Sequence, residues 1–160
     1  MAHGATRATS DLDICPAWDR DNLGSLADAL QSLGAIDKGL RIPVDAKMIY
    51  NREVTNQTSP FGDVDVLLGI PEKSQYERAQ YRALAADALV IEVGKDSVLI
   101  ASLAAVIRSK GIADRPKDHE GLPELRALEL AQRQGTLTRA EARPLTPDQA
   151  GDHGPSDSNR

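Results

Sequence analysis

Apolar and charged residues alternate in the first stretch that can form an element. In DLDIC (11–15), Leu12 and Ile14 interleave with Asp11 and Asp13, the two-residue period of a strand, and Pro16 closes it. Leu23, Leu26, Ala27, Leu30 and Leu33 then recur at helical spacing. Asp21 or Asn22 can serve as the N-cap of that helix, and Gly34 supplies its C-terminal stop. Residues 35–60 keep no single period and end in NQTSP, which reads as a loop. DVDVLL (63–68) is a second strand. Tyr76, Ala79, Ala83 and Leu84 predict a helix over about 74–86.

ALVIEV (88–93), GKDS (94–97) and VLIA (98–101) predict a hairpin, because Gly and Asp are turn residues. Ser102 caps a helix over about 103–111. Pro116 opens a further helical segment, and Pro123 divides 116–132 into two short pieces. From 133 onward Gly, Pro, Ser, Thr and Asp replace large apolar residues, the composition of a disordered C-terminal tail. The mixture of strands and helices, with no internal repeat, predicts one small α+β or α/β domain over 1–132.

Composition narrows this picture. Hydrophobic residues make up 41% of the chain but aromatic ones only 3%, so the core is built from Leu, Ala, Val and Ile. A net charge of −5 argues against a general positive coat for nucleic acid, while a local basic patch stays open. The single cysteine, Cys15, excludes an internal disulfide framework and reads as a buried strand residue. No apolar run approaches the ~18 residues that span a bilayer, and no signal-peptide pattern is present. The expectation is a cytoplasmic protein with no membrane partner. His3 and His119 stand apart from any zinc-ligand spacing, and no Walker-type or G-x-G-x-x-G loop occurs.

The candidate chemistry lies in the acidic strands. Side chains alternate across a strand, so Asp11 and Asp13 share a face, and so do Asp63 and Asp65. If the two strands are neighbours, three or four carboxylates converge. Such a cluster repels itself unless hard cations occupy it, and Mg²⁺ prefers oxygen ligands. Two metals can stabilise the attacking and leaving oxygens of a phosphoryl or nucleotidyl displacement. The alternative is a solvated strand face with Asp at its ends.

Lys110 continues the apolar stripe of Leu103, Val106 and Ile107, so it aims inward and needs a partner, unless it snorkels at the helix end. Asp118 lies four residues before Leu122 and seven before Leu125, and also faces the core, unless it merely occupies a favourable first turn. Arg108, Lys110, Arg115 and Lys117 form a cationic cluster suited to a nucleotide triphosphate or an RNA phosphate. A solvated charged face is the alternative.

T-S-D-L-D-I, G-D-V-D-V-L-L, I-R-S-K and R-P-K-D, in that order over roughly residues 3–130, resemble nucleotidyltransferase-like toxins of the AbiEii type, including the MenT group. The resemblance implies a minimal polymerase-β-like nucleotidyltransferase core. It implies Mg²⁺-dependent transfer of a nucleotide from an NTP, in the MenT group to the tRNA 3′ end, under restraint by an antitoxin protein. It implies that Asp11 and Asp13 are the metal-binding D-x-D, and that Thr9 lies at the nucleotide site. Lys110, with Arg115, would hold triphosphate, and Asp118 would be the last acidic motif. Asp65 is taken as a third carboxylate, with Asp63 the alternative. The family's Gly-Gly or Gly-Ser motif before D-x-D is missing: only HGATR (3–7) precedes T-S-D-L-D-I, and Met1 is read as an internal or mis-assigned start. Two further readings stay open: a truncated or degenerate domain that acts by protein binding, and a nucleotidyltransferase acting on a small molecule such as an antibiotic.

Overall fold

The computed structural model describes residues 11–134. Its first half builds the sheet that carries the aspartates. In chain order it contains β1 (Asp11–Ile14), α1 (Arg20–Ser32), β2 (Ile36–Asp37), α2 (Ala46–Tyr50), β3 (Val54–Ser59) and β4 (Gly62–Leu67). The four strands form one mixed sheet in the order β1-β4-β3-β2. β1 runs parallel to β4, and the other pairs are antiparallel. The fold is mixed α+β, as expected.

α1 packs on the β4 part of the back of this sheet and leaves Leu12 of β1 exposed. Most of its predicted stripe is its buried face: Leu23, Ala27 and Leu30 pack with Ala35, Val44, Ile49 and Val66, whereas Leu33, at the C-cap, is exposed. Trp18, Leu26 and Val64 border that cluster. Gly34, at φ 70°, stops the helix in the left-handed conformation that glycine adopts without a Cβ penalty. The N-cap differs from expectation. Asp19 takes that place and accepts a 2.9 Å hydrogen bond from the Asn22 N–H, so Asp21 and Asn22 already lie in the first turn.

NQTSP is not a loop. Asn56 to Ser59 belong to β3, and Pro60 and Phe61 make the turn into β4. The Ser59 hydroxyl braces that turn, accepting from the Phe61 N–H and donating to the Gly62 carbonyl. The strand is polar in sequence but still alternates: Thr55 and Gln57 are buried, opposite Val66 and Val64, while Asn56 is exposed. Two flanking ladders hold it, which local sequence does not reveal.

The second half comprises β5 (Ile70–Pro71), β6 (Arg78–Ala79), α3 (Tyr81–Ala85), β7 (Leu89–Val93), β8 (Asp96–Ile100), α4 (Leu103–Ala113) and α5 (Pro116–Arg133). The helix expected over 74–86 shrinks to α3. The Ser74 hydroxyl accepts from the N–H groups of Tyr76 and Glu77, a local turn that competes with helix. The chain then returns so that β6 pairs with β5. Gly69 permits this crossing, because a Cβ there would meet the Ala79 carbonyl oxygen at 2.6 Å. The β7–β8 hairpin is as predicted, but its turn is only Gly94 and Lys95. Asp96 and Ser97 are already paired strand. Gly94 at φ 66° in the first turn position suits such a tight hairpin.

Ser102 caps α4 as expected, accepting from the Ala105 N–H. Pro116 opens α5, but Pro123 does not divide it: one helix runs from Pro116 to Arg133. Pro123 lies on the exposed side next to buried Leu122, where the packing of α5 on α4 outweighs one lost backbone bond. The expected tail lies outside the described residues, apart from 133–134, which close α5. Among the described residues, no helix is long and apolar enough to cross a membrane.

The cap assignment is testable. Asp19→Ala is expected to cost about 1 kcal/mol in urea unfolding. Asp21→Ala is expected to cost only about 0.3 kcal/mol, through the helix dipole.

Candidate functional site

The parallel ladder of β1 and β4 is in register, Asp11 beside Asp63 and Asp13 beside Asp65. In-register residues of adjacent strands project from the same face, so both D-x-D pairs line the front of the sheet, opposite α1. The antiparallel ladder adds Asn56 beside Asp65 and Thr58 beside Asp63 on that face. The neighbourhood that the two acidic strands needed is therefore present.

The four carboxylates are not equivalent. Asp13 is held above the usual carboxylate range, first by burial and then by the negative charges of Asp11 and Asp65, against the pull of Lys110 and Lys117. Asp65 has a buried Oδ1 with no hydrogen-bond partner among the described residues. Asp63 is engaged: Lys38 Nζ lies 2.8 Å from its Oδ2. The hydrogen bond from Lys38, and then one from Thr58, hold Asp63 below the usual range. Of the two alternatives for a third carboxylate, Asp65 is the one with an oxygen to spare.

Lys38 was invisible in the sequence. Its ammonium is kept charged first by the hydrogen bond to Asp63, with the charges of Asp63, Asp65 and Asp11 adding to this. It reaches the front face because Asp37, just before it, pairs with Gln57 and points to the back. Only the pairing of β2 with β3 sets that alternation, and two residues of strand leave no periodic signal.

The expected cations meet the acidic face from α4 and α5. Asp118 is 1% exposed, and its carboxylate accepts from Lys110 Nζ at 3.2 Å and from Arg115 Nε and Nη2 at 2.7 and 3.3 Å. Burial pushes Asp118 up, but the hydrogen bonds and charges of Arg115 and Lys110 outweigh it and hold the carboxyl low. The two inward-facing residues of the sequence, Lys110 and Asp118, thus satisfy each other. The Arg115 guanidinium is held charged first by Asp118, and the charges of Asp13 and Asp11 reach it as well. Arg108 is drawn off toward Glu72, 3.9 Å away, and leaves the cluster. Thr9 lies outside the described residues.

Cys15, expected as a buried strand residue, is only half-buried and lies just past the end of β1, with its thiol 3.7 Å from the Leu68 carbonyl. Burial pushes its pKa up to about 11, against a hydrogen bond from the Tyr81 backbone, which removes it as a nucleophile at neutral pH.

The donor set suits a hard cation. Asp11, Asp13 and Asp65 offer carboxylate oxygens, one of them orphaned, and Mg²⁺ commonly binds through one or two carboxylates plus water and phosphate. The row is open rather than a cage: among the described residues, no three His, Cys, Asp or Glu side chains converge into a metal-holding group. A carboxylate row faced by a lysine and an arginine on a shared acidic anchor can bind a cation and a polyanion together. No family model, no curated protein and no solved structure matches the chain.

Asp118→Asn is expected to lower stability by about 2 kcal/mol at neutral pH, a figure reduced because both cations are partly exposed. A carboxyl whose folded pKa is depressed stabilises the fold above its unfolded pKa. That contribution vanishes as pH falls through the folded value. The gap between wild type and variant in urea unfolding should therefore close below about pH 4.

Proposed function

We propose that this protein is a nucleotidyltransferase of the AbiEii or MenT-like type, moving a nucleotide from an NTP to an RNA acceptor, the tRNA 3′ end, and restrained by a cognate antitoxin. The observation that carries the reading is the in-register ladder, which sets Asp13 beside Asp65 on one sheet face. The paired cations Lys110 and Arg115 add support, because the charges of that corner are felt at Asp13 and Asp11.

In this reading Asp11 and Asp13 hold Mg²⁺, with Asp65 sharing it or taking a proton. Bound Mg²⁺ supplies charge stabilisation at the attacked phosphorus and the leaving oxygen. The acceptor hydroxyl oxygen bonds to the α-phosphorus, the bond to the β-phosphate oxygen breaks, and pyrophosphate leaves. The hydroxyl proton passes to the Asp65 carboxylate. Lys110 and Arg115 neutralise the phosphates. Asp118 fixes both cations without touching substrate, so it acts as a positioning residue. Lys38 withdraws Asp63 from the metal set.

One observation favours a second reading, a non-catalytic domain that acts by binding a protein: no described group of three ligands is preformed. Labelled NTPs incubated with the protein, Mg²⁺ and total tRNA separate the two. The expected result is label on RNA, lost by more than about a hundredfold in Asp13→Asn, as for removal of a group that stabilises the transition state. Label on a small acceptor and never on RNA would move the substrate class. No label on any acceptor, with unhindered growth on expression, would sink the enzyme reading.

A further inference from the structure

A cleft of about 430 Å³ lies where the first turn of α1 meets α2, on the side of the sheet opposite the acidic row. Arg20 and Leu23, one turn apart on α1, form one wall. Ala46, Lys47 and Tyr50 of α2, with Asn51 at its C-cap, form the other. The floor is apolar: Leu23 is fully buried in the core cluster, and Ala46 borders that cluster. The volume is well above the roughly 150 Å³ of a cavity that holds benzene. It falls within the roughly 300–1,000 Å³ of small-molecule sites.

The rim carries two cations that the fold does not pair. Arg20 and Lys47 form no ion pair with any described residue. Arg52, just beyond α2, behaves differently and lies 2.8 Å from the Asp37 carboxylate. The acids closest to the two cations in sequence are turned elsewhere. Asp19 and Asp45 cap their own helices, accepting from the Asn22 and Met48 N–H groups at 2.9 and 2.7 Å. Asp21 follows Arg20 in the chain but does not line the cleft. What Arg20 does meet is a ring: its guanidinium carbon lies 5.9 Å from the centre of Tyr50. A guanidinium over a ring keeps its N–H fork available for a planar oxyanion.

These two properties together define a ligand. A small hydrated anion would reach the cations but leave the apolar floor uncovered. A neutral hydrocarbon would cover the floor and desolvate both cations without pairing them. A flat apolar ring system with an anionic group at one end satisfies both parts.

We propose that this cleft binds a small aromatic anion, its ring over Leu23 and Ala46 and its anionic group held by Arg20 and Lys47. The site uses no residue of the carboxylate row or of the α4–α5 corner, so it stands or falls apart from the nucleotidyltransferase reading.

Naphthoate is the probe, titrated into the ¹⁵N-labelled full chain and followed by amide NMR. Three further arms dissect it. Naphthamide keeps the ring and loses the charge, acetate keeps the carboxylate and loses the ring, and naphthyl phosphate changes the anion. Naphthoate is expected to give saturable shifts centred on residues 20–23 and 46–51. Its affinity should exceed that of naphthamide by about tenfold, the worth of a charge-assisted hydrogen bond. Acetate should give no saturable shift. Tighter binding of either naphthyl anion supports the proposal and identifies the anionic group as carboxylate or phosphate ester.

Arg20→Met and Lys47→Met keep the aliphatic stems and remove the charges. Each is expected to weaken naphthoate about tenfold and to leave naphthamide unchanged, whereas Lys95→Met in the β7–β8 turn should change neither. Urea unfolding checks that the variants fold, and if one does not, the other carries the test. No saturable shift with either naphthyl anion overturns the proposal. So do shifts centred outside α1 and α2, equal affinity for naphthamide, or full naphthoate affinity in the folded variants.

Discussion

The front of this molecule depends on one ladder. β1 lies parallel to β4 in register, and that single choice sets Asp11 and Asp13 beside Asp63 and Asp65. A shift by one residue would turn one pair of carboxylates to the back, into the cluster beneath α1. The back face is therefore what holds the front in place. Val66 is fully buried against Leu23 and Ile49, and Val64 packs at the border of the same cluster. Burying β4 on that side costs the protein like-charge repulsion on the other, which adds to the effect of burial in raising Asp13. The repulsion is tolerated because cations arrive from two directions. Lys38 comes from the end of β2, and Lys110 with Arg115 from the α4–α5 corner.

These two cationic groups are built differently. Lys38 is held by the cluster itself and pairs with Asp63, at the start of β4. Lys110 and Arg115 are held by Asp118, which is sealed from solvent and belongs to α5. The second arrangement places charge opposite Asp13 without consuming the Asp13 carboxylate. That separation leaves Asp13 and Asp65 with binding capacity, whereas Asp63 is already engaged.

Much of this was legible in local sequence, and the reasons are specific. The two D-x-D strands carried their own alternation, and Leu23, Ala27 and Leu30 carried a helical stripe. The inward phasing of Lys110 and Asp118 was visible too, though not that each was the partner of the other. What escaped was set by distant contacts. β3 reads as a loop because Thr55 and Gln57 are polar, yet they are buried by ladders on both sides, with side-chain atoms that find no partner among the described residues. An unpaired buried polar atom costs about 1–3 kcal/mol, so no local rule would place these residues there. The helix over 74–86 failed because Ser74 offered the backbone a competing turn. Pro123 was read as a break, but the contact of α5 with α4 carries the helix through it. Lys38 sits one residue beyond a two-residue strand, too short for a pattern.

Asp13 and Asp65 share one sheet face, close enough for each to feel the other's charge. Carboxyl ¹³C NMR of the protein in divalent-free buffer measures this directly, by following the Asp13 titration in wild type and in Asp65→Asn. A midpoint above the ordinary value of about 3.9 is expected in wild type, moving down when the Asp65 charge is removed. A wild-type midpoint at the ordinary value, unmoved by Asp65→Asn, would contradict it.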